Sequence, residues 1–121
     1  MSKYDSDTVP MIQLVVLSAL VDGEASAAEL DAIAAGIPEH CNIEAAQVKE
    51  LATKMLASYT TKKLAHDPVA IVMHGKQAMM RLSGRQRQNA IKLAARVAAA
   101  SPGGEANEAS FLRKLKQIAQ A

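Results

Sequence analysis

The residues best placed to do chemistry are the carboxylates of VDGEASAAEL, residues 21–30. Asp22, Glu24 and Glu29 crowd one short stretch around Gly23. Carboxylate oxygens at that density are ligands for a hard divalent cation, which takes roughly six to eight oxygens. A calcium-like ion is therefore the candidate cofactor. The spacing is not that of an EF-hand. Aligning Gly23 with the loop glycine of that motif sets Ser18 and Leu20 where two acids belong. A structural account competes with the ligand account and outweighs it. Ser26 and Glu29 stand three apart, so the hydroxyl and the carboxylate can each satisfy a free N–H at the start of a helix, as a capping box. Only Asp22 and Glu24 have no task in that account.

The stretch has an echo. GEASAAEL, residues 23–30, aligns with GEANEASF, residues 104–111. Gly23 matches Gly104, Glu24 matches Glu105, and Ser26 matches Asn107, both good N-caps. Leu30 matches Phe111, both facing a core. Glu105 and Glu108 are the acids of the second copy. If the two corners converge, three or four carboxylates can hold a weak divalent ion with water completing its shell. Asp22, Glu24, Glu29, Glu105 and Glu108 are thus the candidate metal ligands.

The elements that must position these acids read as helices throughout, about six of them. The first runs from about Val9 to Val21, capped by Asp7 or Thr8. It is apolar on nearly every face and is expected at the centre of the fold. Gly23 is expected to stop it in the left-handed conformation. The second starts at Ser26, carries Leu30, Ile33, Ala34 and Ile37 on one stripe, and ends at Gly36 and Pro38. The third, about residues 43–59, is capped by Asn42 and turns Val48, Leu51, Ala52, Met55 and Leu56 inward. Asp67 then Pro68, cap and first position, open a fourth helix. It is expected to run to Leu82 with Ile71, Val72, Met79 and Met80 inward. Ser83 and Gln86 suggest a second capping box, for a fifth helix ending near Ala100. After the break SPGG, residues 101–104, a sixth helix is expected over about residues 107–119, with Phe111, Leu112, Leu115 and Ile118 inside.

Taken together, the two corners resemble those of the TerB-like family, the tellurite-resistance-associated helical domain. Members pair an apolar helix with an aDGEhsxxE loop and repeat the device near the C-terminus. The resemblance covers about Met11 to Ala119. It implies an all-α, pseudo-twofold bundle, a stress-linked binding or scaffolding role, and acidic loop residues as cation ligands. The first loop matches in full at Asp22, Gly23, Glu24, Ser26 and Glu29. The second departs: Gly103 stands opposite Asp22 and Ser110 opposite Glu29, which weakens a site drawing on both loops.

Composition sets the bounds. The chain has 121 residues, half of them apolar, yet only Tyr4, Tyr59 and Phe111 are aromatic. That is one domain, 1–121, with 1–7 read as a tail and a core of aliphatic residues, Met and Ala. Cys41 alone excludes an internal disulfide. No secretory leader is read in MSKYDSDTV, and the apolar run from Val9 to Val21 is shorter than the roughly 20 residues a bilayer needs. A cytoplasmic protein is the expectation. Residues 1–60 carry three Lys against nine acids, whereas residues 61–121 carry eleven Lys and Arg against three. The simpler reading is attraction between the halves or plain solvation; the sharper one is a basic surface for an anionic partner.

Other chemistry reads more weakly. His40, His66 and His74 make no ligand spacing. Met73, Met79 and Met80 are expected to fill the core rather than hold a soft metal. Arg81, Arg85, Arg87, Lys92 and Arg96 form a basic cluster with no aromatic among them for base stacking, so nucleic acid is disfavoured as the partner. No phosphate loop, nucleophile elbow or paired catalytic carboxylates occur. The sequence therefore reads as a non-enzymatic adaptor that docks a partner protein or a membrane-associated complex. The alternative is a helical scaffold whose basic second half binds an anionic partner such as nucleic acid.

Overall fold

The computed structural model describes residues 6–21, 26–63 and 67–100, together with 111, 113, 114, 116 and 117. Among them there is no strand. Five α-helices and one 3-10 turn are formed: α1 (Thr8–Leu20), α2 (Ala27–Gly36), the turn Ile37–Glu39, α3 (Ala45–Thr61), α4 (Pro68–Met80) and α5 (Gly84–Ala99). The expected sixth helix is described only at Phe111, Arg113, Lys114, Lys116 and Gln117, all helical, with Phe111 buried in the core. Leu112, Leu115 and Ile118 lie outside the described residues.

Helix α1 is the axis of the fold, as a helix apolar on nearly every face requires. Met11, Ile12, Leu14, Val15, Val16 and Leu17 are wholly buried, and α2, α3, α4 and α5 all pack against it. Each such side chain contributes about 1.5–3 kcal/mol by leaving water. Asp7 stands at the N-cap position but caps nothing with its side chain, contrary to expectation. Its backbone is already helical there, which turns the carboxylate away from the free N–H groups. The helix ends at Leu20, with Val21 as C-cap. The Gly23 stop lies outside the described residues.

Helix α2 carries Ile33 and Ala34 into the core, with Leu30 partly buried against it, and passes through the Pro38 turn as the sequence indicates. It crosses α5 closely at Gly36, where a methyl group would overlap the Leu93 side chain. Helix α3 begins at Ala45, two residues later than expected. Asn42 is not its cap; Glu44 takes that position, and its N–H donates to Gln47 Oε1 at 3.2 Å. Ile43 is buried ahead of the helix. Burying that side chain ties down the chain before the helix can begin.

In α4, Asp67 Oδ1 accepts from the Ala70 N–H at 3.1 Å, the cap the sequence indicates. The helix stops at Met80. Ile71, Ala78 and Met79 are buried and Val72 packs against the core, but Met80 is 64 % exposed and Met73 56 %. Inward placement of Met80, and core filling by Met73 and Met80, are therefore corrected. Adjacent residues on a helix sit about 100° apart, so Met79 and Met80 cannot share one buried stripe. At α5, Ser83 Oγ accepts from the Gln86 N–H at 3.3 Å, but the box is only half made. The Gln86 amide turns away: Nε2 donates to the His40 carbonyl at 3.0 Å, and Oε1 accepts from Asn89 at 2.8 Å. A backbone carbonyl on the link between α2 and α3 has drawn off the group that would have closed the cap.

Candidate functional site

The corner between α1 and α2 is built from α2 outward. Ser26 is extended at the N-cap; its Oγ accepts from the Glu29 N–H at 3.1 Å, and Glu29 Oε1 accepts from the Ser26 N–H at 2.9 Å. The capping box is complete. What the sequence does not reveal is the depth of Glu29. Its side chain is 1 % exposed, among the apolar residues of the core, and its second oxygen, Oε2, is buried without a hydrogen-bond partner.

A buried carboxyl with one oxygen engaged and the other bare has an unmet polar demand at the second oxygen. The oxygen chemistry of Oε2 fits a hard divalent ion as one ligand of several. Of the five expected ligands only Glu29 is described; Asp22, Glu24, Glu105 and Glu108 lie outside the described residues, as do Gly23 and Gly104 at the two corners. Among the described residues, no three of His, Cys, Asp and Glu gather where they would hold a metal.

The remaining candidates are placed as follows. Cys41 is buried with its Sγ 3.9 Å from Met11 Sδ, so that sulfur packs against sulfur. The His74 ring lies 6.1 Å from that of Tyr59, whose phenol burial holds above its ordinary pKa. His66 is outside the described residues. His40 borders a small polar cleft with Glu39, Arg85, Gln86 and Asn89. There Arg96 donates to both Glu39 oxygens, at 2.8 and 3.4 Å. The guanidinium, first by hydrogen bonding and then by charge, holds the Glu39 carboxyl below its usual value. This ion pair joins the acidic and basic halves. Asp31 with Lys49 and Glu50 with Lys54, both at 3.1 Å, pair within the acidic half.

Residues 68–100 contain Lys76, Arg81, Arg85, Arg87, Lys92 and Arg96 and no acid. Among the described residues, Arg96 alone of these six has a carboxylate partner. Arg87 Nε instead donates to the Met79 carbonyl at 2.9 Å. The sequence reading also missed a surface: Val69 (69 % exposed), Met73 and Met80 stand on the outer side of α4. Their i, i+4, i+11 spacing was available as a signal. It was masked because α4 is apolar on its inner face as well.

No family model, no curated protein and no solved structure matches this chain. The case for function therefore rests on its own residues.

Proposed function

We propose that the chain is a non-enzymatic adaptor domain, TerB-like in its first corner, in which a weakly bound divalent cation tunes the joint between α1 and α2. The observation that carries this reading is the bare, buried Oε2 of Glu29. A buried oxygen left without a partner costs free energy. A cation shared with Asp22 and Glu24 would relieve that cost and stiffen the corner. Glu29 would then serve twice, as helix cap and as ligand. The biological role is tellurite or envelope and metal stress, with a partner protein in a membrane-associated complex. This last step rests on the TerB-like resemblance alone.

The test is a titration with calcium, magnesium and manganese, followed by thermal unfolding and by amide NMR. A cation at about ten times its Kd stabilises the folded state by about 1.4 kcal/mol. The wild type is expected to gain such an increment, with amide shifts centred on residues 22–30. Glu29→Gln is expected to lose the metal response. Ser26→Ala, which removes only the cap and costs about 1 kcal/mol, is expected to keep it. A wild type silent to millimolar metal, or a Glu29→Gln variant that responds equally, would end the cation reading.

A second reading, a basic half that binds an anionic partner such as nucleic acid, is favoured by the acid-free run over residues 68–100.

A further inference from the structure

We propose that the outer face of α4 is a docking groove for an acidic amphipathic helix of a partner protein. Soluble proteins seldom leave large apolar side chains aligned in water unless something covers them. Val69, Met73 and Met80 are the exposed large apolar side chains among the described residues, and all three lie on this one helix. Lys76 falls on the same side, three residues after Met73 and four before Met80. The row extends about 16 Å, three helical turns.

Val69, Val72 and Met73 line a shallow, open cleft of about 320 Å3, and Lys114 of the C-terminal segment lines it with them. An apolar floor with a lysine among its lining residues suits an aliphatic or aromatic side chain that has a carboxylate close by on its own helix. Met lends such a floor the adaptability to fit different side chains.

Charge decides the occupant. Lys76, Arg81 and Lys114 border the row, and α4 and α5 contain no acid. A second copy would bring a chain of net charge +2, so it complements this basic face less well than an acidic partner does. A bilayer favours a convex face bearing Trp, Phe or Leu; here Trp is absent and Phe111 is buried. Nucleic acid would meet an apolar centre with no aromatic ring to stack on. What remains is a helix with apolar residues at i, i+4 and i+7 and Glu or Asp beside them.

The probe is a labelled amphipathic peptide of about 18 residues, with Leu on one face and Glu on the other, and a counterpart in which every Glu is Lys. Binding is read by fluorescence anisotropy. The Glu peptide is expected to bind with a Kd on the order of micromolar, at least about tenfold tighter than the Lys peptide, and more weakly as salt rises. Met73→Asp is expected to weaken it at least about tenfold with unchanged circular dichroism, since Met73 is on the surface. Val69→Ser serves as a second probe of the same cleft. Glu50→Gln, at an exposed position on α3, is expected to leave binding unchanged, which shows that the effect is local to α4. Equal binding of the two peptides, or indifference to both Met73→Asp and Val69→Ser, would overturn the proposal. So would stronger binding to phosphatidylglycerol vesicles or duplex DNA than to the Glu peptide, or a dimer that Met73→Asp dissociates.

Discussion

Helices α1 and α4 have the same length, 13 residues, and both are largely apolar, yet the fold treats them oppositely. Around α1 helices α2, α3, α4 and α5 close, and its Leu, Ile and Val side chains other than Val9 vanish from the surface. Helix α4 is covered on one side only. Ile71, Gly75, Ala78 and Met79 face inward while Val69, Met73 and Met80 face water. Apolarity of a segment therefore does not fix its burial. Burial depends on how many neighbours can reach it, and the central position admits more than the periphery. The apolar residues of α1 are explained by the chain itself; those on the outside of α4 are not.

Truncation should separate the two helices most sharply. Leu17→Ala empties a closed site and is expected to cost about 2–5 kcal/mol in urea unfolding. Met73→Ala removes an exposed side chain and is expected to cost less than about 0.5 kcal/mol. Similar costs at the two sites would mean that something within the chain covers the α4 row, and the comparison would fail.

A second, smaller effect probes how tightly the covering helices close. Gly36 lets α2 approach α5 so nearly that Ala would press on Leu93, which is itself buried. Overpacking of this kind costs about 1–3 kcal/mol. The better helix propensity of Ala returns up to about 1 kcal/mol. Gly36→Ala is thus expected to destabilise by about 1–2 kcal/mol in urea unfolding. Shortening the side chain it strikes, in the double variant with Leu93→Val, should make the two costs less than additive. Strict additivity would show that the crossing is loose.

Much of the architecture was legible because it depends on neighbours in sequence. Ser26 with Glu29 and Asp67 with Pro68 announce helix starts through contacts spanning three or four residues, and both starts form as read. The burial of α1 follows from its having no polar face. What failed depends on distant groups. Gln86 leaves its cap for the His40 carbonyl, 46 residues away in sequence. Glu39 meets Arg96 across 57 residues, a pairing no local rule indicates. Met80 is expected inward with Met79, yet adjacent helical residues cannot share one buried stripe, and only Met79 is buried. The acids of the first corner were legible as a motif, but the burial of Glu29 was not, since depth is a property of the packed helices.

The smallest effect expected concerns charge, where α4 and α5 also differ. Arg96 on α5 has an acid, Glu39; Lys76 on α4 has none among the described residues. The Glu39 carboxyl is held below its usual value of 4.5, by the Arg96 hydrogen bond first and the charge second. A carboxyl whose folded value is depressed adds stability above its unfolded value and loses it as pH falls through the folded one. The wild type should therefore lose a small increment as pH drops below 4.5, and Glu39→Gln should lack that increment at every pH. Both partners are half exposed, so salt should shrink the difference further. Lys76→Gln, with no acid to release, should leave the acid limb of the stability curve unchanged. If Lys76→Gln instead altered that limb as Glu39→Gln does, a carboxylate from elsewhere in the chain would already sit on the α4 face. The groove would then be filled from within, and an acidic partner would have no place there.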